Sequence, residues 1–105
     1  MHRNFPRTER FTLGQKICQL ILEVIELSFI ASYQPLDAKI ITLSKTISRL
    51  DILKLFLQIA WENKLIPTEK YIEMSSKLQE IGRMLGGWKK GLLSKTPAKS
   101  AGEKQ

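Results

Sequence analysis

Apolar residues recur at alternating spacings of three and four along most of this 105-residue chain, and that period commits it to helices. Leu13, Ile17, Leu20, Val24 and Leu27 form a first seam. Cys18, Ile21, Ile25 and Ser28 run beside it, and Leu22 and Phe29 widen the arc, so this segment is expected to meet more than one neighbouring helix. Leu36, Ile40, Leu43, Ile47, Leu50, Leu53, Leu57 and Ala60 hold the same alternation in a second segment, and Tyr71, Met74, Leu78, Ile81, Leu85, Trp88 and Leu92 in a third. No segment alternates with period two and no Asn-Gly or Asp-Gly hairpin signal occurs, which leaves an all-α chain.

The four prolines, at positions 6, 35, 67 and 97, punctuate the segments without interrupting them. Pro6 suits a first helical turn, Thr12-Leu13-Gly14-Gln15 reads as a capping box, and the second helix should stop near Asn63 to Leu65, before Pro67. Glu69 sits favourably against the dipole of a third helix that starts at Pro67 or Thr68. The spacing predicts helices over about 8–32, 36–64 and 67–93. Connections of a few residues force consecutive helices to run antiparallel, so residues 1–93 read as one up-down bundle of three rods, each roughly 38 Å long. Residues 94–105, rich in Lys, Ser and Ala, have too little apolar surface for a core and read as a disordered basic tail.

Charge is distributed unevenly. Residues 1–16 carry four basic side chains against one acidic, residues 83–105 six against one, and residues 17–82 seven against eight. In an up-down-up bundle the two basic clusters fall at opposite ends and form two caps. Positive charge near the start of a helix opposes its dipole, so Arg7, Arg10 and Lys16 stand out as candidate phosphate contacts. Arg83, Lys89 and Lys90 are favoured at a helix C-terminus in any case.

Catalytic chemistry finds few residues. His2 is the single histidine and Cys18 the single cysteine, which leaves no histidine-based triad, no Cys-rich zinc site and no internal disulfide. Cys18, in an apolar run, reads as a small buried core residue. Glu23 and Glu26, three apart, read as a solvated face rather than a metal or acid–base pair. Gly86-Gly87-Trp88-Lys89-Lys90-Gly91 lacks the spacing of a P-loop. The N-terminus has no secretory apolar core, and the run from Ile17 to Ala31 is too short and too charged to span a bilayer. The sequence thus reads as a cytoplasmic, non-enzymatic protein with no metal or cofactor and no membrane partner.

The segment Ile81-Gly82-Arg83-Met84-Leu85-Gly86-Gly87-Trp88-Lys89-Lys90 carries the sharpest signal. Glycine in a helix interior costs about 1 kcal/mol relative to alanine. One reading ends the helix here, with Gly86 or Gly87 as its cap and Trp88 folding back on it. The other continues the helix, because Trp88 and Leu92 stay in phase with Tyr71 to Leu85. Ser75, Gln79, Gly82 and Gly86 then form a low ridge for close helix contact, with Trp88 as a core or intersubunit anchor.

The stretches Phe5-Pro6-Arg7-Thr8-Glu9-Arg10-Phe11-Thr12-Leu13-Gly14-Gln15-Lys16-Ile17 and Ile81-Gly82-Arg83-Met84-Leu85-Gly86-Gly87-Trp88 resemble signature segments of the four-helix-bundle proteins related to the accessory variability protein (Avd) of diversity-generating retroelements. That group is similar to the proteins encoded by intervening sequences of bacterial 23S ribosomal RNA genes. The resemblance covers about residues 5–92. It implies a non-catalytic protein that assembles into a pentameric barrel and binds a reverse transcriptase and its template RNA, or RNA–cDNA, in support of mutagenic cDNA synthesis. In the family an earlier helix precedes the Phe-Pro stretch, whereas four residues precede Phe5 here. The chain therefore corresponds to the last three helices of the four-helix pattern, and part of the wide apolar face of its first helix should be bared. An oligomer covering that face, a shortened relative, and a start placed too far downstream all remain open.

The expected nucleic-acid contacts are Arg3, Arg7, Arg10, Lys16, Arg83, Lys89 and Lys90, reading shape and backbone because no base-reading motif is present. The expected packing or oligomer contacts are Gly82, Gly86, Gly87 and Trp88. The alternative function is a helical protein-binding scaffold or oligomerisation module without a nucleic-acid role.

Overall fold

The computed structural model describes residues 7–95, with side chains from Phe11 onward. Three helices fill that range, α1 (Arg7–Tyr33), α2 (Leu36–Glu62) and α3 (Thr68–Lys95). The described residues contain no strand. Cross-helix pairs show the antiparallel order. Arg49 of α2 meets Glu23 of α1, Leu50 meets Gly82 of α3, and Trp61 stacks on Tyr71. The molecule is a rod of 54 × 21 × 21 Å.

The apolar seam of α2 is central. Leu43, Leu50, Leu53, Leu57 and Ala60 are all buried, and on their two sides lie Leu20, Val24 and Ala31 of α1 and Leu85 of α3. Each fully buried leucine contributes about 1.5–3 kcal/mol by leaving water. Thr42 and Thr46, outside the apolar pattern, are buried in the same helix. The Thr46 hydroxyl donates to the Thr42 carbonyl at 2.7 Å, a back-bond that lets a polar β-branched residue sit in a core.

The turn between α2 and α3 is held from both sides. Lys64 takes a left-handed φ of 61°. The Lys64 amide donates to the Trp61 carbonyl and the Leu65 amide to the Ala60 carbonyl, the paired bonds of a Schellman ending. The Trp61 indole N–H donates to the Thr68 hydroxyl at 3.1 Å, and its ring lies 4.6 Å from that of Tyr71 at an interplanar angle of 5°.

Helix α1 and helix α3 pack along α2 and scarcely touch one another. The consequence is uneven burial. Leu85 is the one buried side chain of α3, while Met74, Leu78, Ile81, Trp88 and Leu92 are half-buried. In α1, Leu13, Leu20, Val24 and Ala31 face α2, whereas Phe11, Leu22, Ile25 and Phe29 lie on the opposite side and are exposed.

Three expectations change here. Cys18 is exposed and not a core residue, because a helix with apolar residues on two opposed faces can turn only one of them to α2. Thr12 lies inside α1 and not at its N-terminus, since the helix already begins at Arg7. Ser94 and Lys95, assigned to the tail, belong to α3; the remainder of that tail lies outside the described residues.

Candidate nucleic-acid interface

The glycine-rich segment of α3 remains helical throughout, without a positive φ at any described glycine. Its glycines divide by what they face. At Gly82 a methyl group would sit 3.3 Å from Cδ2 of Leu50 and 3.4 Å from Nζ of Lys54. Glycine therefore lets α3 settle close against α2, next to a leucine that is only 1% exposed. At Gly86 and Gly87 a methyl group would meet no atom within 4 Å beyond the local helix backbone. Among the described residues, nothing requires glycine there.

Basic residues surround that open backbone. Arg83 and Lys90 are exposed, and at 3.6 residues per turn they lie on the side of the helix that carries Gly87. Lys89 is half-buried. Trp88 packs against the core cluster, and the Lys39 ammonium, from the first turn of α2, stands 6.0 Å from the centre of its ring, at the limit of cation–π range. Trp88, Lys89, Lys90 and Lys39 thus lie where the end of α3 passes the start of α2, whereas Arg83, next to Gly82, stands beside the middle of α2. Lys39 and Lys54 escaped sequence reasoning because only the antiparallel register of α2 on α3 brings them to Trp88 and Gly82.

The other basic group lies at the far end of the bundle, beside the start of α1. Lys16 is exposed. Arg7 and Arg10 belong to the first turns of α1, with side chains outside the described set, and Arg3 lies outside the described residues. The two groups thus do not merge into one patch.

The carboxylates take part in ordinary surface contacts. Glu23 accepts from Arg49 Nε at 3.3 Å and from the Gln19 amide at 3.2 Å. Among the described residues no three His, Cys, Asp or Glu side chains converge as metal ligands. No helix among them is long and apolar enough to cross a membrane. The geometry offers cations, an aromatic ring and accessible helix backbone, which suits holding a polyanion or a partner helix.

No curated protein and no solved structure matches the chain. A protein-family model described as bAvd-like matches residues 1–92, a span that contains the helical bundle almost to the end of α3 and both basic groups. The chain belongs to the bAvd-like family.

Proposed function

We propose that this chain serves a diversity-generating retroelement, binding the reverse transcriptase and the template RNA, as a homo-oligomer, in support of mutagenic cDNA synthesis. Its family membership makes it an Avd-type accessory protein. The observation that carries the nucleic-acid part is the cluster at the end of α3, where Arg83 and Lys90 flank the bare backbone of Gly86 and Gly87 and Lys39 stands by Trp88. Cations placed on a rigid helix neutralise phosphates without reading bases. An oligomer repeats the cluster in every subunit, and affinity rises steeply with the number of phosphates neutralised.

The test is RNA binding as a function of salt. Four phosphate contacts on a single strand give a log–log slope near −3, hence roughly 50-fold weaker binding at 200 mM than at 50 mM salt. Arg83→Glu with Lys90→Glu should flatten that slope, and Arg7→Glu, Arg10→Glu and Lys16→Glu together test the opposite end. RNA binding that is independent of salt and of these changes refutes the proposal. A protein-binding scaffold is the second reading, favoured by the apolar residues that α1 leaves in solvent. Under it, RNA fails to bind at physiological salt while Gly86→Leu still disrupts assembly.

A further inference from the structure

The aromatic pair at the turn between α2 and α3 is a feature that the cluster at the end of α3 leaves unexplained. Trp61 and Tyr71 stack in parallel, with 4.6 Å between ring centres and 5° between planes. The stack is fixed in place. The Trp61 indole N–H donates to the Thr68 hydroxyl at 3.1 Å, and the Lys64 and Leu65 amides lock the turn onto the Trp61 and Ala60 carbonyls. Both rings are half-buried. Trp61 borders a cleft of ≈ 920 Å³ lined by residues 61–68. Tyr71 borders a separate groove of ≈ 480 Å³ between α2 and α3, together with Asp51 and Lys54. The two rings thus form a wall between two open spaces, where a core pair would have side chains on both sides.

We propose that the Trp61–Tyr71 pair is a stacking platform for the unpaired bases of single-stranded RNA, with a base entering the cleft beside Trp61. This role rests on the RNA binding proposed above and uses none of the residues at the end of α3. A prestacked pair on a hydrogen-bonded turn is already ordered, so a base that adds a third layer costs little side-chain freedom. Every base has a π-face, and stacking on an aromatic ring therefore holds a strand without reading its sequence. Cations for the flanking phosphates are at hand. Lys64 is exposed and lines the cleft, and Lys70 is exposed with only a long 3.9 Å ion pair to Glu73. Glu62, on the same cleft, is occupied by the Gln58 amide at 3.0 Å. The antiparallel order brings the start of α1 to this end too, and residues 7–16 and 61–71 together carry five basic side chains against three acidic. A duplex keeps its base faces inside its own stack, so the platform favours single strands, whereas the cations at the end of α3 serve the phosphates of either form.

The test compares a short adenine-rich RNA strand with the same strand in a duplex, each titrated with the full 105-residue chain. Trp61→Leu should weaken single-strand binding about 5- to 150-fold, the effect of one lost stacking contact, and leave duplex binding unchanged. Trp61→Phe keeps a ring on Tyr71 and should restore most of the single-strand affinity, with far-UV circular dichroism showing each variant folded. A second readout leaves Trp61 in place. The chain has two tryptophans, so in Trp88→Phe the emission comes from Trp61 alone, and the single strand should quench it where the duplex does not. Equal binding of both RNA forms with Trp61 emission unchanged overturns the platform and leaves the phosphate contacts of α3 standing. A Trp61→Leu chain that binds RNA normally but has lost the reverse transcriptase overturns it in favour of a protein ligand in the cleft. Binding of neither RNA form overturns the platform together with the RNA-binding reading.

Discussion

Substituting Gly86 by alanine separates a glycine kept for the chain's own packing from one kept for a partner. Helix α3 continues through Gly86, and a methyl group there meets no atom within 4 Å outside the local backbone. The intrinsic gain is then undiminished, about 1 kcal/mol of added stability. In a domain of this size that corresponds to a rise of about 4–8 °C in melting temperature. Gly82→Ala is the control. It makes the same propensity gain, but its methyl group lands 3.3 Å from Cδ2 of Leu50, inside a packed seam. Overpacking of a core costs about 1–3 kcal/mol, so Gly82→Ala should come out neutral to destabilising. Urea titration followed by circular dichroism, at concentrations low enough to keep the chain unassembled, measures both variants. Gly86→Ala as destabilising as Gly82→Ala refutes the reasoning, because the free chain would then need glycine at both positions. The same Gly86→Ala protein, more stable yet weaker in binding RNA or reverse transcriptase, marks the position as one that a partner approaches.

Lys64→Gly relieves a left-handed residue, a strain of about 1–2 kcal/mol, against about 0.4–1 kcal/mol of extra freedom in the unfolded chain. A net stabilisation of about 0.5–1 kcal/mol should be seen in thermal melts. Trp61→Phe retains a ring against Tyr71 and removes the indole donor to Thr68, so urea titration should show a loss of about 0.5–1.5 kcal/mol. Leu50→Ala opens the seam at a residue that is 1% exposed, and should cost about 2–5 kcal/mol in the same assay.

What the sequence disclosed and what it hid follow one physical division. Periodicity reports how often an apolar residue returns, and so the all-α bundle was legible from Leu36 to Ala60 and from Tyr71 to Leu92. It does not report which of two apolar faces has a neighbour. In α2 the ambiguity is small, because flanking helices take both sides of its seam, and Leu43, Leu50, Leu53 and Leu57 are buried. In α1 the ambiguity is complete. Leu20 and Leu22 are the same residue two positions apart, yet one is 1% and the other 63% exposed, and Cys18 falls on the exposed side with Leu22. The end of α2 was legible from Pro67, to within a residue of the Asn63 cap, although the usual glycine signal is missing. Its left-handed position is filled by Lys64, where a glycine would have announced the stop. The candidate site was legible as composition, in Arg83, Lys89, Lys90 and the glycines, but Lys39 and Lys54 join it only through the register of α2 on α3. Register is a property of two helices together. The same consideration applies to α1, whose second apolar stripe finds no partner among the described residues and whose exposure therefore shows only once the helices are packed.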